Sequence, residues 1–365
     1  MPPNANPESS SSSSISTTTT ITENDDRTYG TEMEIDEHGQ KCSSPTTNGQ
    51  IRRRKVSHAE QLMMKMFEEA ENVGHMLHNA WNVCHFSHLP KWLQDNDYLH
   101  FGHRPPLASF KACFWSIFRL HTETLNIWTH GVGCLSFIII SVYLFVCSQY
   151  ANVPTIDKIM LGIFLTTAIL CLGLSACYHT LSCHSHQVCI FFCKLDYCGI
   201  SLLIAGSIVP CLYYGFYCSL FPKIFYICLT MVLCVASLIV SFYDKFSEAH
   251  FRPVRAGVFT SFALSSVVPA IHWYLTHGGT TQLSSAFQSA SFFIILMASL
   301  YIIGVLFYAL RIPERFYPGK FDLYFHSHTL FHIFVFAAAI AHLCGLTTMA
   351  DVRLFSDVHL AQCEL

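Results

Sequence analysis

Seven runs of about 20 apolar residues, separated by turn-forming and charged segments, constrain this chain more than any other feature of its 365 residues. A bilayer core of about 30 Å is crossed by about 20 apolar residues in a helix, because lipid offers no partner to an unpaired backbone group. The runs fall near 125–148, 157–180, 194–216, 221–243, 256–276, 287–310 and 325–347. Composition agrees: 12% of the residues are charged, where an average soluble domain has about 25%. The breaks carry turn chemistry. Pro154 precedes the second run, Pro222 separates the third from the fourth, and the sixth stops at Arg311-Ile-Pro-Glu-Arg-Phe-Tyr-Pro-Gly-Lys320. Pro210 and Pro269 lie within spans, where kinks are tolerated.

Orientation follows from Lys and Arg in the connections. Arg52, Arg53, Arg54, Lys55, Lys111 and Arg119 precede the first span; Lys194, Lys245, Arg252, Arg255, Arg311, Arg315 and Lys320 fall on the same side. The other side has Lys158, Lys223 and Arg353. The expected architecture is therefore an all-α seven-transmembrane helix bundle with a cytoplasmic N-terminus and an extracellular C-terminus, in a multi-pass protein of the plasma membrane.

Four segments result. Residues 1–56 are rich in Ser and Thr, with runs Ser9–Ser14 and Thr17–Thr20, and have too little apolar surface to offset the entropy of ordering. They lack the apolar core of a signal peptide, so the first span is expected to direct insertion. Residues 57–124 hold cytoplasmic and interfacial elements. An amphipathic helix is expected over 57–85, with Ser57 and Glu60 as a capping box and Leu62, Met66 and Val73 on one face. A basic, aromatic helix over 107–121 suits the membrane interface or packing under the bundle. Residues 125–347 form the transmembrane domain and 348–365 an extracellular tail. A net charge of −3, with no basic stretch interleaved with aromatics, excludes nucleic acid as a partner. The 17 cysteines form no CxxC pair and read as small buried hydrophobes. Cys218 and Cys363 fall on the outer side, where a disulfide between them is an open expectation.

Ionisable groups inside spans are costly and point to function. His179 ends the second span, Asp196 begins the third, and His328 and His332 lie in the first turns of the seventh. Topology brings all four to one depth, near the cytoplasmic face. His328 and His332, at i and i+4, stack on one helix face about 6 Å apart. That is the helical two-histidine arrangement of zinc sites, with a third ligand from elsewhere. Three neutral imidazoles leave the fourth tetrahedral position open, as in catalytic rather than structural zinc sites. Ser175, one turn before His179, can support a ligand or bond its own helix. His326 points about 200° away from His328 and should not share the ion. His184 and His186 read as solvated loop residues, and His121 and His130 as interfacial. Glu123 and Asp244 read as simple polar groups at span ends, and Asp322 as a cap for the seventh helix.

The runs Phe118-Arg-Leu-His-Thr-Glu-Thr-Leu-Asn-Ile-Trp-Thr-His130, Lys194-Leu-Asp-Tyr-Cys-Gly199, Arg311 to Asp322, and Ser327-His-Thr-Leu-Phe-His332 strongly resemble the adiponectin receptors of the progestin and adipoQ receptor family. The resemblance covers about 57–350. It implies an inverted seven-helix bundle with zinc on His179, His328 and His332, an aspartate at Asp196 and a serine at Ser175. It further implies a circulating extracellular protein ligand, a cytoplasmic adaptor, and effects on fatty-acid and membrane-lipid metabolism, with ceramide hydrolysis attributed to the family. The loop after His179, Ser-Cys-His-Ser-His-Gln, departs from the family pattern and leaves the ligands untouched.

Two expectations stand side by side. In one, the receptor also hydrolyses ceramide-like amides, with Asp196 and Ser175 serving catalysis and a lipid substrate or free fatty acid within the bundle. In the other, zinc is structural and signalling passes to the adaptor by protein contact. An ion transporter fits less well, since no charged track crosses the midplane. The oligomeric state is open, with a homodimer as one expectation.

Overall fold

The computed structural model describes residues 61–67, 82–277 and 285–355. The Ser- and Thr-rich segment, the Ser57–Glu60 cap and Cys363 lie outside these residues. Cys218 is disulfide-bonded.

Residues 61–67 form a helix, α1, with every side chain exposed. The expected helix over 57–85 does not reach its predicted end. Residues 82–85 are extended, and Cys84 bridges His103 instead. The interfacial helix is shorter than 107–121: α2 covers Phe110–Ser116, capped by the Ser109 hydroxyl on the Ala112 N–H. Its small residues Ala112, Cys113 and Ser116 are buried, while Phe110, Phe114 and Trp115 are exposed beside Phe118. The buried face packs under the bundle against the end of α4, as one of the two expectations has it.

Among the described residues, seven helical segments are long and apolar enough to cross a membrane. The first is α3, Thr124–Val142, continued by a π turn to Cys147. Then follow α4, Thr155–Leu181; α5, His186–Gly215; and α6, Leu220–Ser241. The fifth span is two helices, α7 over Arg252–Leu264 and α8 over Val267–His277. The last two are α9, Ser285–Leu310, and α10, Ser327–Phe355.

Proline explains the break in the fifth span. Pro269 has no N–H for the carbonyl of Ser265 and its ring crowds that carbonyl. The chain leaves the helix at Ser265-Ser266, whose hydroxyls donate to the Phe262 and Ala263 carbonyls at 2.6 and 2.7 Å. Pro210 leaves α5 unbroken. Its residue four back is Gly206, which packs tightly on α4: a Cβ there would lie 2.0 Å from Thr167 Oγ1. A Cβ on Gly199 would lie 2.9 Å from the Cys171 backbone. These two glycines let α4 and α5 approach closely, as small residues do between membrane helices.

The largest core cluster joins α3, α4, α5 and α10 through Phe137, Phe164, Leu172, Leu203 and Leu346. More than half (56%) of the most apolar window of α10 is buried, against 6% of that of α9. Thus α10 is the central helix, and α9 turns Ile295, Ile302 and Leu306 outward. The helix that carries His328 and His332 is the one most enclosed by protein.

Candidate metal centre

Three helix ends form the centre. The four-residue link Ser182–Ser185 joins the end of α4 to the start of α5, so the two helices run antiparallel and Asp196, ten residues into α5, lies level with Ser175, one turn deeper than His179. Ser185 caps α5 by accepting from the Val188 N–H. At the end of α4 the buried Arg104 guanidinium takes the place of a cap. It donates to the carbonyls of His179 and Thr180 and to the Ser116 hydroxyl. A cation is favoured at a helix C-terminus, where carbonyls lack intrahelical partners. The start of α10 is held by Glu314, a fully buried carboxylate that accepts from the Ser327 N–H at 2.7 Å. Asp322 was expected in this role. It accepts instead from the His100 and Phe101 N–H groups, at 2.9 and 2.8 Å, and ties down the segment before α2.

His179, His328 and His332 come together, with one ring nitrogen of each within 4.8 Å of the others. His179 and His332 are buried and His328 half-buried. The Nε2 atoms of His179 and His328 are 3.2 Å apart. Nitrogens bound at about 2.05 Å to a tetrahedral zinc ion would lie about 3.3 Å apart. The donor set and the His179–His328 spacing therefore fit such an ion, with the third ring closing in by up to about 1.5 Å. No fourth His, Cys, Asp or Glu joins the group among the described residues.

Asp196 and Ser175 are both buried, with Ser175 and His179 of α4 close to Asp196 of α5. Beyond them, Arg255 donates to the carbonyls of Phe246 and Glu248, both at 2.7 Å, and reaches the Tyr308 hydroxyl. Arg252 pairs with Asp95 and lies over the Tyr308 ring. Arg252 and Arg311 draw the Asp95 carboxyl below its ordinary range although burial works the other way. A cavity of about 100 Å³ runs from His179 and His328 to Trp92, Asn96 and His103.

Other histidines separate as their positions require. His326 is buried, with Nε2 3.0 Å from the Thr122 carbonyl, outside the cluster. His184 stacks on Phe110 and His186 is exposed at the start of α5. His121 and His130, expected at the interface, are buried instead. His130 stacks parallel on His332 with centroids 3.6 Å apart. His121 has Nε2 3.1 Å from the Ser116 carbonyl and Nδ1 3.1 Å from the Glu123 N–H, and burial pushes its pKa down to about 3. Asp244 keeps the simple role expected of it, in an exposed pair with Lys194.

Glu123 does not. Its carboxylate lies 2.7 Å from His179 Nδ1. Burial opposes the charge, but His179 and the Asn126 amide hold the Glu123 carboxyl well below its usual range. Glu123 stands 56 positions from His179, so no local spacing joins them. Arg104 is likewise 75 positions from the carbonyl it holds. The only signal at Glu123 was an acidic residue at the mouth of a span.

The profile of the Haemolysin-III related family matches residues 118–343, which contain every residue of the centre except Arg104 and the 92–103 segment. The chain is 48% identical over 340 residues to the adiponectin receptor protein of Drosophila melanogaster, covering 89% of this chain and 76% of that one. It is 50% identical over 275 residues to progestin and adipoQ receptor-like protein 1 of Caenorhabditis elegans, covering 75% of this chain and 62% of that one. It is 31% identical over 276 residues to heptahelical transmembrane protein 1 of Arabidopsis thaliana, covering 73% and 81%. Seven apolar helices, the histidine cluster and these relatives make the chain a multi-pass membrane protein that belongs to the Haemolysin-III related family, among the adiponectin and progestin and adipoQ receptors.

Proposed function

We propose that this chain is an adiponectin-receptor-like receptor that holds zinc on His179, His328 and His332 at its cytoplasmic end and hydrolyses ceramide-like amides there. The Lys and Arg bias of the connections supports the orientation. The observation that carries the chemistry is a group of three histidines, two of them buried, with no fourth His, Cys, Asp or Glu in the group among the described residues, near a buried carboxylate.

A zinc ion held on His179, His328 and His332 would supply Lewis-acid polarisation of an amide carbonyl and would bring the pKa of a water at the site towards about 7. The protein's own groups do the rest. Asp196 accepts the proton of the attacking water and delivers it to the leaving amine. Ser175, close by on α4, is the side chain placed to orient that carboxylate. The apolar interior between helices takes the acyl chain and keeps bulk water from the amide. An extracellular protein ligand and a cytoplasmic adaptor complete the proposed receptor, whose output is fatty-acid and membrane-lipid metabolism.

The test is metal analysis together with lipid-product detection on purified wild type and Asp196→Asn. The expected result is full zinc in both and a fall in fatty-acid release of about 100-fold or more in the variant. Wild type that holds stoichiometric zinc but releases no fatty acid from any ceramide ends the enzymatic half.

One observation favours a second reading, in which zinc is structural. The ligands come from α4 and α10 and touch α3, so an ion there clamps three helices. That reading expects His179→Ala to destabilise the bundle and Asp196→Asn to be mild in every assay.

A further inference from the structure

Each imidazole has two ring nitrogens, and only the one without a proton can bind a metal. A ligand ring is held in the correct tautomer when an acceptor takes the proton on its other nitrogen. The start of α3 presents two such acceptors. Glu123 Oε2 lies 2.7 Å from His179 Nδ1, and the Asn126 carbonyl lies 3.2 Å from His332 Nδ1. Both contacts leave Nε2 as the nitrogen available for an ion.

The acceptors are themselves fixed. The Asn126 amide donates to Glu123 Oε2 at 2.8 Å and accepts at Oδ1 from the Thr329 hydroxyl at 2.8 Å. The Glu123 N–H is held by His121, whose far nitrogen meets the Ser116 carbonyl. A short polar side chain at a helix N-cap ordinarily bonds its own first turn. Glu123 occupies that position in α3 and makes no such bond. Its carboxylate reaches across to α4 instead.

We infer that Glu123 is a positioning residue that holds His179 in the Nδ1–H tautomer, with the Asn126 carbonyl doing the same for His332. On this account α3 orients an ion that it does not ligate. The inference rests on the metal-holding role proposed above for the three histidines.

The test is zinc affinity of the full-length protein in detergent, measured by competition with a chelator at one fixed pH. Glu123→Gln keeps the shape and removes the charged acceptor. It should bind one zinc per chain 10–100-fold more weakly, while metal-stripped variant and wild type melt alike. Glu123→Asp, with a carboxylate one methylene shorter, should fall between. Cobalt(II) in place of zinc should show altered d–d absorption in Glu123→Gln, partly restored in Glu123→Asp. Ser136→Ala, further along α3, removes a hydroxyl bonded to the Val132 carbonyl of its own helix and away from Glu123 and Asn126, and should match wild type. Wild-type affinity and an unaltered cobalt spectrum in Glu123→Gln overturn the inference alone. A wild type that takes up no metal overturns it together with the proposed function. If Glu123→Gln does not fold, the Asp variant decides by the same two readouts.

Discussion

The same three helices, α4, α5 and α10, are joined at both ends, and by opposite means. At one end the imidazoles of His179, His328 and His332, from α4 and α10, converge near Asp196 of α5. At the other, Asp157 in the first turn of α4 is fully buried and meets Arg353 near the end of α10, with Nε to Oδ1 at 3.2 Å. Arg353 also lies over the ring of Tyr217, just past the end of α5, at 3.6 Å. The Tyr150 hydroxyl donates to Asp351 at 2.6 Å beside this pair. The second junction supplies its own counter-charge. The first is an array of lone pairs that gains most from a cation. Both draw helices together, but only the first has chemistry to offer a ligand.

This contrast can be broken in order of expected effect. His179→Ala removes one ligand and strands the Glu123 carboxylate, so bound metal should fall to background and the melting temperature should drop. Metal content and a thermal melt in detergent measure both. Retention of full metal would show that the cluster is not the binding site. Arg353→Ala leaves Asp157 buried without its cation, which costs about 3 kcal/mol. Denaturation should show that loss while metal content stays at the wild-type level. Loss of metal in this variant would mean that the two ends act as one unit, and the comparison would fail.

The third effect is smaller and depends on pH. The folded pKa of His121 is about 3, against an ordinary 6.5. Between those values the unfolded chain binds a proton at this ring that the folded chain does not. Its stabilising contribution is present above pH 6.5 and is lost as pH falls towards 3. At pH 5.5 the loss is about 1.4 kcal/mol. His121→Gln should be less stable at pH 7.5, and its further loss down to pH 5.5 should be smaller than that of wild type by about this amount. Equal pH slopes would show that His121 titrates normally in the folded protein.

Much of the metal end was legible in the sequence, because it depends on position along spans. The length of an apolar run sets where a helix leaves the bilayer, and an i, i+4 pair sets a shared face. Those two rules bring His179, His328 and His332 to one place with no knowledge of packing. The groups behind them obey no such rule. Glu123, Asn126 and Arg104 act across 56 to 206 positions, through contacts that exist only after the helices pack.

Helix limits failed for a related reason. α10 runs eight residues beyond the expected end at 347 because Asp351 and Arg353 are satisfied by Tyr150 and Asp157. Hydropathy counts those residues as polar, while the fold pairs them. α5 begins at His186 rather than 194, since the Ser185 hydroxyl caps it there and the apolar Val188, Ile190, Phe191 and Phe192 carry the helix back past the polar Lys194 and Asp196. The fifth span breaks four residues before Pro269, although Pro210 sits in an unbroken helix. The different outcomes follow from what surrounds each proline, which a single sequence does not display.

The central claim is that the three histidines hold one zinc ion. Elemental analysis of purified full-length protein tests it most directly, with wild type compared to His328→Ala and His332→Ala. The account predicts one zinc per chain in wild type and background levels in both variants. A wild type free of zinc, or variants that retain it in full, would contradict the account.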